Sequence, residues 1–137
     1  MDKSWDYAFR FAKISHRMMK YAEVEVSMYW TWQNNYPIMS ANTKTKYPSY
    51  YVTRHYTDFL NTGTQILHSI TNDPEILAIC GINREGKNVV QIINLKNGKV
   101  SVELNGVSGE LSKSATTTES KNWAENTITL KTGGEKP

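Results

Sequence analysis

Residues 24–32 read VEVSMYWTW. The run is β-branched and aromatic, and apolar residues fall on both of its alternating faces. As a strand it therefore has to be buried on both sides, as strands of parallel sheets are. A helix is expected just before it, over residues 4–22. There Ala8, Ala12, Ser15, Met19 and Ala22 recur at helical spacing, flanked by Trp5, Phe11 and Met18, while Arg10, Lys13, Arg17 and Lys20 occupy much of the rest. Asp2 or Ser4 can cap its start, and the small residues on the stripe suit close packing against a sheet. Helix followed by doubly buried strand is the repeating half-unit of an α/β fold. Such a strand needs neighbours of its own kind, and the chain offers no second one.

Beyond Trp32 the chain changes character. Residues 34–48, NNYPIMSANTKTKYP, form a loop bounded by prolines, long enough for a functional role. A second helix is predicted over residues 49–60, with Tyr51, His55 and Phe59 on one stripe, Val52 and Tyr56 beside it, and Gly63 just beyond as a stop signal. From Thr64 the period becomes two. Strands are predicted at 64–70, 76–83, 88–95, 99–104, 109–116 and 127–130, separated by NDP, REGK, KNGK and NG turns. Short strands at that spacing indicate an antiparallel β-sandwich, with Ile66, Ile79, Val90, Ile92 and Val102 as its expected core. Every tyrosine lies in the first part and Trp123 is the only tryptophan of the second. Two regions are expected, residues 1–63 and 64–137.

Composition excludes several functions. With 39% hydrophobic and 21% charged residues the chain belongs with globular domains. A formal charge of +3, without any block of like charges, gives no argument for nucleic acid. The lone Cys80, within ILAICGI, supports neither a disulfide framework nor a metal site. The apolar runs are too short to span a membrane, and MDKSWDYAFRF carries no secretion-signal core. His16, His55 and His68 show no metal-ligand spacing, so neither a cofactor nor a metal is expected.

Two constellations invite a chemical reading. Glu23 and Glu25 share a face of the expected strand, but they stand at its start, roughly 23 Å of strand before Trp32. They read as rim carboxylates rather than a catalytic pair. The other end is different. Trp32, Gln33 and Asn34 stand where the strand leaves the sheet, with Asn35, Tyr36 and Tyr47 on the loop beyond. A sugar ring offers C–H groups that pack on an indole and hydroxyls that need amide partners, and Trp beside Gln and Asn supplies both. Trp32, Gln33, Asn34 and Tyr36 are the candidate substrate-binding residues, and Trp30 is read as core.

Taken in order, SMYWTWQNN, YYVTRHYTDFLNTG and ILAICGINREGKNVVQIINLKNGKVSVEL resemble the C-terminal end of glycoside hydrolase family 30 and its relatives in the retaining (β/α)8-barrel clan, which includes glucosylceramidases and β-1,6-glucanases. The resemblance covers nearly the whole chain. It implies a mixed fold: a barrel remnant of helix, strand eight and helix, followed by an antiparallel β-sandwich lacking its last strand. It also implies that Trp32, at the end of strand eight, floors the subsite at the cleaved bond of a carbohydrate substrate. Such enzymes use two glutamates about 5 Å apart, one after strand four and one after strand seven. This chain is expected to begin after strand seven, so no catalytic residue is carried over. The parent enzyme is expected in a secreted or periplasmic setting. The partners implied are the missing barrel portion or, in its absence, a second copy. A different reading is a stand-alone carbohydrate-binding or interaction module, with the aromatic segment packed on the sandwich.

Overall fold

The computed structural model describes residues 3–22, 24, 38–107 and 113–125. Its first element, α1, spans Trp5–Tyr21. Ser4 caps it, its hydroxyl accepting from the Tyr7 N–H at 3.3 Å, and Asp6 in the first turn and Lys20 in the last complement the helix dipole. Residues four apart lie on one helical face, and Ala8, Ala12 and His16 form the buried stripe. The two alanines let the helix approach its neighbours closely. The second helix, α2, spans Pro48–Phe59. Pro48 opens it, where the missing N–H costs no helical hydrogen bond. Val52 is buried within it, and Leu60, buried just past its end, donates its N–H to the Tyr56 carbonyl at 3.0 Å. Gly63, at φ +87°, turns the chain toward the strands.

Strands β1 (Gln65–Leu67), β2 (Ile76–Ile82) and β3 (Asn88–Asn94) form an antiparallel sheet in that order. Leu77 lies opposite Ile93, Ile79 opposite Gln91, and Gly81 opposite Val89. Opposed residues share a face, and this is the face the helices cover. Ala8, Ala12, Val52 and Ile93 form one buried cluster, with Leu77 and Leu95 packed against it. Leu60, Ile79 and Val89 form a second, flanked by Met19, Tyr56 and Phe59. Burial of each such aliphatic side chain is worth about 1.5–3 kcal/mol. Lys20 pins the end of α1 to the sheet, its ammonium donating to the carbonyls of Ser69 and Ala78, each at 2.9 Å. Gly81 is required where β1 crosses close, because a Cβ there would lie 2.8 Å from the Gln65 carbonyl oxygen. The remaining strands, β4 (Ala115–Thr118) and β5 (Lys121–Glu125), make a separate two-stranded antiparallel sheet against α2.

The architecture is thus mixed, with two helices and two small antiparallel sheets among the described residues. Several sequence expectations need correction. Residues 99–104 form no strand. The Asn94 side chain turns the chain instead, its Oδ1 accepting from the Lys96 N–H at 2.9 Å and its amide donating to the Gly98 carbonyl at 2.8 Å. The strand expected at 109–116 is found later, as β4, with 108–112 outside the described residues. Its hairpin partner β5 has no counterpart among the expected strands. Of the expected core, Ile79 is fully buried, but Ile66, Ile92 and Val102 are 37%, 38% and 42% exposed. Ile66 sits on the short edge strand opposite Gly81, Ile92 points away from the helices, and Val102 lies outside any strand. Strand 24–32, save Val24, and strand 127–130 lie outside the described residues.

Candidate functional site

Trp32, Gln33, Asn34 and Tyr36 lie outside the described residues, as do Glu23, Glu25, Trp30 and Asn35. The points where the chain enters and leaves that segment are defined. On the near side the Val24 N–H donates to the Met18 carbonyl at 3.3 Å, closing the end of α1. On the far side Ile38 is fully buried and its carbonyl accepts from the Tyr47 N–H at 3.0 Å. Met39 bridges to Lys46. Between them a tight turn is locked by Ser40, whose hydroxyl donates to the Asn42 side-chain carbonyl at 2.6 Å and accepts from the Thr45 N–H at 2.9 Å. The loop after the aromatic segment therefore leads directly into α2 from a buried anchor. Tyr47, further along the same loop, is described and lies beneath the Lys3 ammonium, 4.9 Å from the ring centre.

The densest arrangement of functional groups among the described residues is elsewhere, where α2 meets the β4–β5 hairpin. Trp123 lies 4.8 Å from the His55 ring and stacks on Phe59 at 5.9 Å, while the Arg54 guanidinium covers the indole at 3.9 Å. His55 Nε2 shares a hydrogen bond with the Thr117 hydroxyl at 2.9 Å. Asp58 accepts from Arg54 at 3.0 Å and stands 3.9 Å from Lys113. Burial holds the His55 pKa below the ordinary histidine value, against the pull of Asp58 and with a smaller push from Arg54. Trp123 itself occupies the left-handed backbone region at φ +49°, and its shielded indole N–H has no partner among the described residues. The first costs about 1–2 kcal/mol and the second about 1–3 kcal/mol, so the ring stack has to offset both. The carboxylate of the cluster is engaged by cations and its imidazole by a hydroxyl. The cluster is built as a fastening between helix and hairpin rather than as an acid–base site.

The other histidines divide clearly. His16 is 1% exposed, and neither ring nitrogen has a hydrogen-bond partner among the described residues. Burial first, then Lys20 and Arg17, hold its pKa low. His68 is exposed after β1. Among the described residues no group of His, Cys, Asp and Glu could hold a metal ion, and no helix is long and apolar enough to cross a membrane. Sequence reasoning places His55 and Phe59 on one stripe of α2 but misses their partner. The available signal is Trp123 itself, a lone large ring in a region otherwise without Trp or Tyr.

Comparison with family models, with curated proteins and with solved structures finds no match to this chain.

Proposed function

We propose that this chain is the C-terminal part of a retaining glycoside hydrolase of the family 30 type, supplying a sugar-stacking strand end and an accessory β-sandwich rather than the catalytic carboxylates. The observation that carries the reading is the ordered set of segments. An aromatic, amide-ended run lies between the anchored points Val24 and Ile38, and is followed by a helix whose YYVTRHYTDFLNTG positions join it to antiparallel strands. Within that motif Val52 and Tyr56 pack toward β2 and β3, His55 and Phe59 grip β4–β5, and Gly63 makes the turn. That is the use expected of a helix joining a barrel to a sandwich. On this reading Trp32 stacks on the sugar ring, and Gln33, Asn34 and Tyr36 bind its hydroxyls.

The test joins the chain to the barrel portion the reading requires. Trp32→Ala should then lower kcat/KM by the equivalent of about 1–3 kcal/mol, comparable to loss of other aromatic platforms, with folding retained. Trp30→Ala should instead cost about 3–5 kcal/mol of stability. Unchanged kcat/KM in Trp32→Ala contradicts the platform. The chain alone should hydrolyse no aryl glycoside, and hydrolysis abolished by Glu23→Gln or Glu25→Gln would overturn the assignment.

The alternative, a stand-alone carbohydrate-binding module, is favoured by one observation: both helices share their core with β2 and β3, as a self-sufficient domain does. Glycan binding by a cooperative, monomeric chain would select it.

A further inference from the structure

Past the end of β3, residues 95–107 form no helix or strand. The chain's two asparagine–glycine pairs both lie here, Asn97–Gly98 and Asn105–Gly106, and all four residues are exposed. An asparagine side-chain amide can be attacked by the backbone nitrogen of the residue that follows. Glycine favours the attack, because it has no Cβ to crowd that nitrogen and its backbone turns freely. Gly98 and Gly106 stand at φ +110° and +76°, and a Cβ at either would meet no atom within 4 Å. The approach to each nitrogen is therefore open.

The two pairs differ in what restrains them. Asn94 spans the first, its Oδ1 accepting from the Lys96 N–H and its amide donating to the Gly98 carbonyl. Asn97 sits inside that clamp, and the backbone rotation that would bring the Gly98 nitrogen onto its side chain has to open it. Asn105 and Gly106 make no hydrogen bond with the described residues. Elsewhere Asn42, Asn61 and Asn83 hold their Oδ1 atoms against hydroxyl or N–H donors and are followed by Thr43, Thr62 and Arg84.

We propose that Asn105 is a site of spontaneous modification, converting to aspartate and isoaspartate through a cyclic imide. The Gly106 nitrogen forms a bond to the Asn105 side-chain carbonyl carbon. The bond from that carbon to Nδ2 breaks, and Nδ2 leaves as ammonia, taking up in balance the proton that the Gly106 nitrogen loses. Water then opens the imide at either carbonyl, giving a side-chain carboxylate in one product and a backbone lengthened by a methylene in the other. Nothing is oxidised or reduced, and water is the co-reactant. Both products place a new negative charge just beyond Glu103, in a connection that contributes to neither buried cluster. The converted chain should therefore keep its fold. The modification is independent of the carbohydrate reading and involves none of its proposed residues.

The test incubates the intact chain at mildly alkaline pH in water enriched in heavy oxygen, and follows both sites by peptide mapping and mass spectrometry. Heavy oxygen enters when the imide opens, which marks conversion during the incubation. Asn105 should convert faster than Asn97 by a factor on the order of ten, since two hydrogen bonds of ordinary net strength restrain the slower site. In denaturant the clamp is gone, and the two rates should become similar. Asn94→Ala, shown to be folded by circular dichroism, should raise the Asn97 rate toward that of Asn105. Asn97 converting as fast as Asn105 in the folded chain overturns the proposal, as does an Asn105 that stays intact while the denatured chain reacts. Aspartate formed without isoaspartate would contradict the imide route, and an Asn97 that stays slow in folded Asn94→Ala would contradict the clamp.

Discussion

Helix α2 meets two sheets, and it holds them by different means. Toward β2 and β3 it presents Val52, with Leu60 just past its end, in aliphatic clusters that include the fully buried Ile79. Tyr56 adds a polar bond to the neighbouring helix, its hydroxyl donating to the Ala12 carbonyl of α1 at 2.8 Å. Toward the β4–β5 hairpin it presents Arg54, His55 and Phe59, which enclose a single indole. The first contact is non-directional and tolerant, and its strength scales with the apolar area removed from water. The second depends on ring geometry, one hydrogen bond and a cation over a ring face, and it carries a strained backbone and an orphan N–H. One helix thus has a hydrophobic seat and a polar–aromatic clasp, which should fail under different perturbations.

The largest expected effect breaks the seat. Ile79→Ala should destabilise the protein by about 2–5 kcal/mol, as aliphatic truncations at fully buried sites do, and chemical denaturation should show it in one cooperative transition covering helices and sheet. Trp123→Ala comes next, at about 2 kcal/mol. The ring is only part-buried, and its removal also relieves the orphan N–H. Its effect should be concentrated in the hairpin.

The ordering of these two effects reflects how much the sequence discloses. The helices are legible because a 3.6-residue stripe, an N-cap at Ser4 and a proline at the start of α2 agree with one another. Strands β2 and β3 are legible from β-branched content. Their buried face is not. NVVQIIN is apolar at both odd and even positions, so alternation cannot choose between Val89 with Ile93 and Val90 with Ile92. The choice is made by α1 and α2, which settle on the odd face. The clasp is less legible still. Neither KNWAE nor its turn alternates, and the residue that matters adopts a backbone conformation tryptophan rarely takes. The proposed sugar-binding residues Trp32, Gln33, Asn34 and Tyr36 remain a reading of chemistry along the chain, with Val24 and Ile38 as its fixed ends.

Smaller effects sharpen the comparison. His16 and His55 both have pKa values held below 6.5, so the native state binds fewer protons than the unfolded chain just below neutrality. Their contribution is fully present above the unfolded value and is lost as pH falls through 6.5 toward the folded values. Stability should therefore decline between about pH 7 and 5. The exposed carboxylates Asp73 and Glu85, held low by their lysine partners, act only in the more acidic carboxylate range. Melts across that window in His55→Gln should retain the His16 part of the slope and lose the rest. An unchanged slope would place the titration outside the clasp. The smallest effect is expected at Ile92, which is already 38% exposed on the face that neither α1 nor α2 covers. Ile92→Lys should shift the stability of the dilute chain by no more than about 0.5 kcal/mol, and a loss as large as that of Ile79→Ala would show that this face is a core surface too.

The separability of seat and clasp is tested most directly by native-state hydrogen exchange on the parent chain and Trp123→Ala, read at β2–β3 and β4–β5. Amides of Ala115–Thr118 and Lys121–Glu125 should lose protection in the variant while those of Ile76–Ile82 and Asn88–Asn94 keep nearly all of theirs. Equal loss in both sheets would contradict the account, because α2 would then hold them as a single cooperative unit.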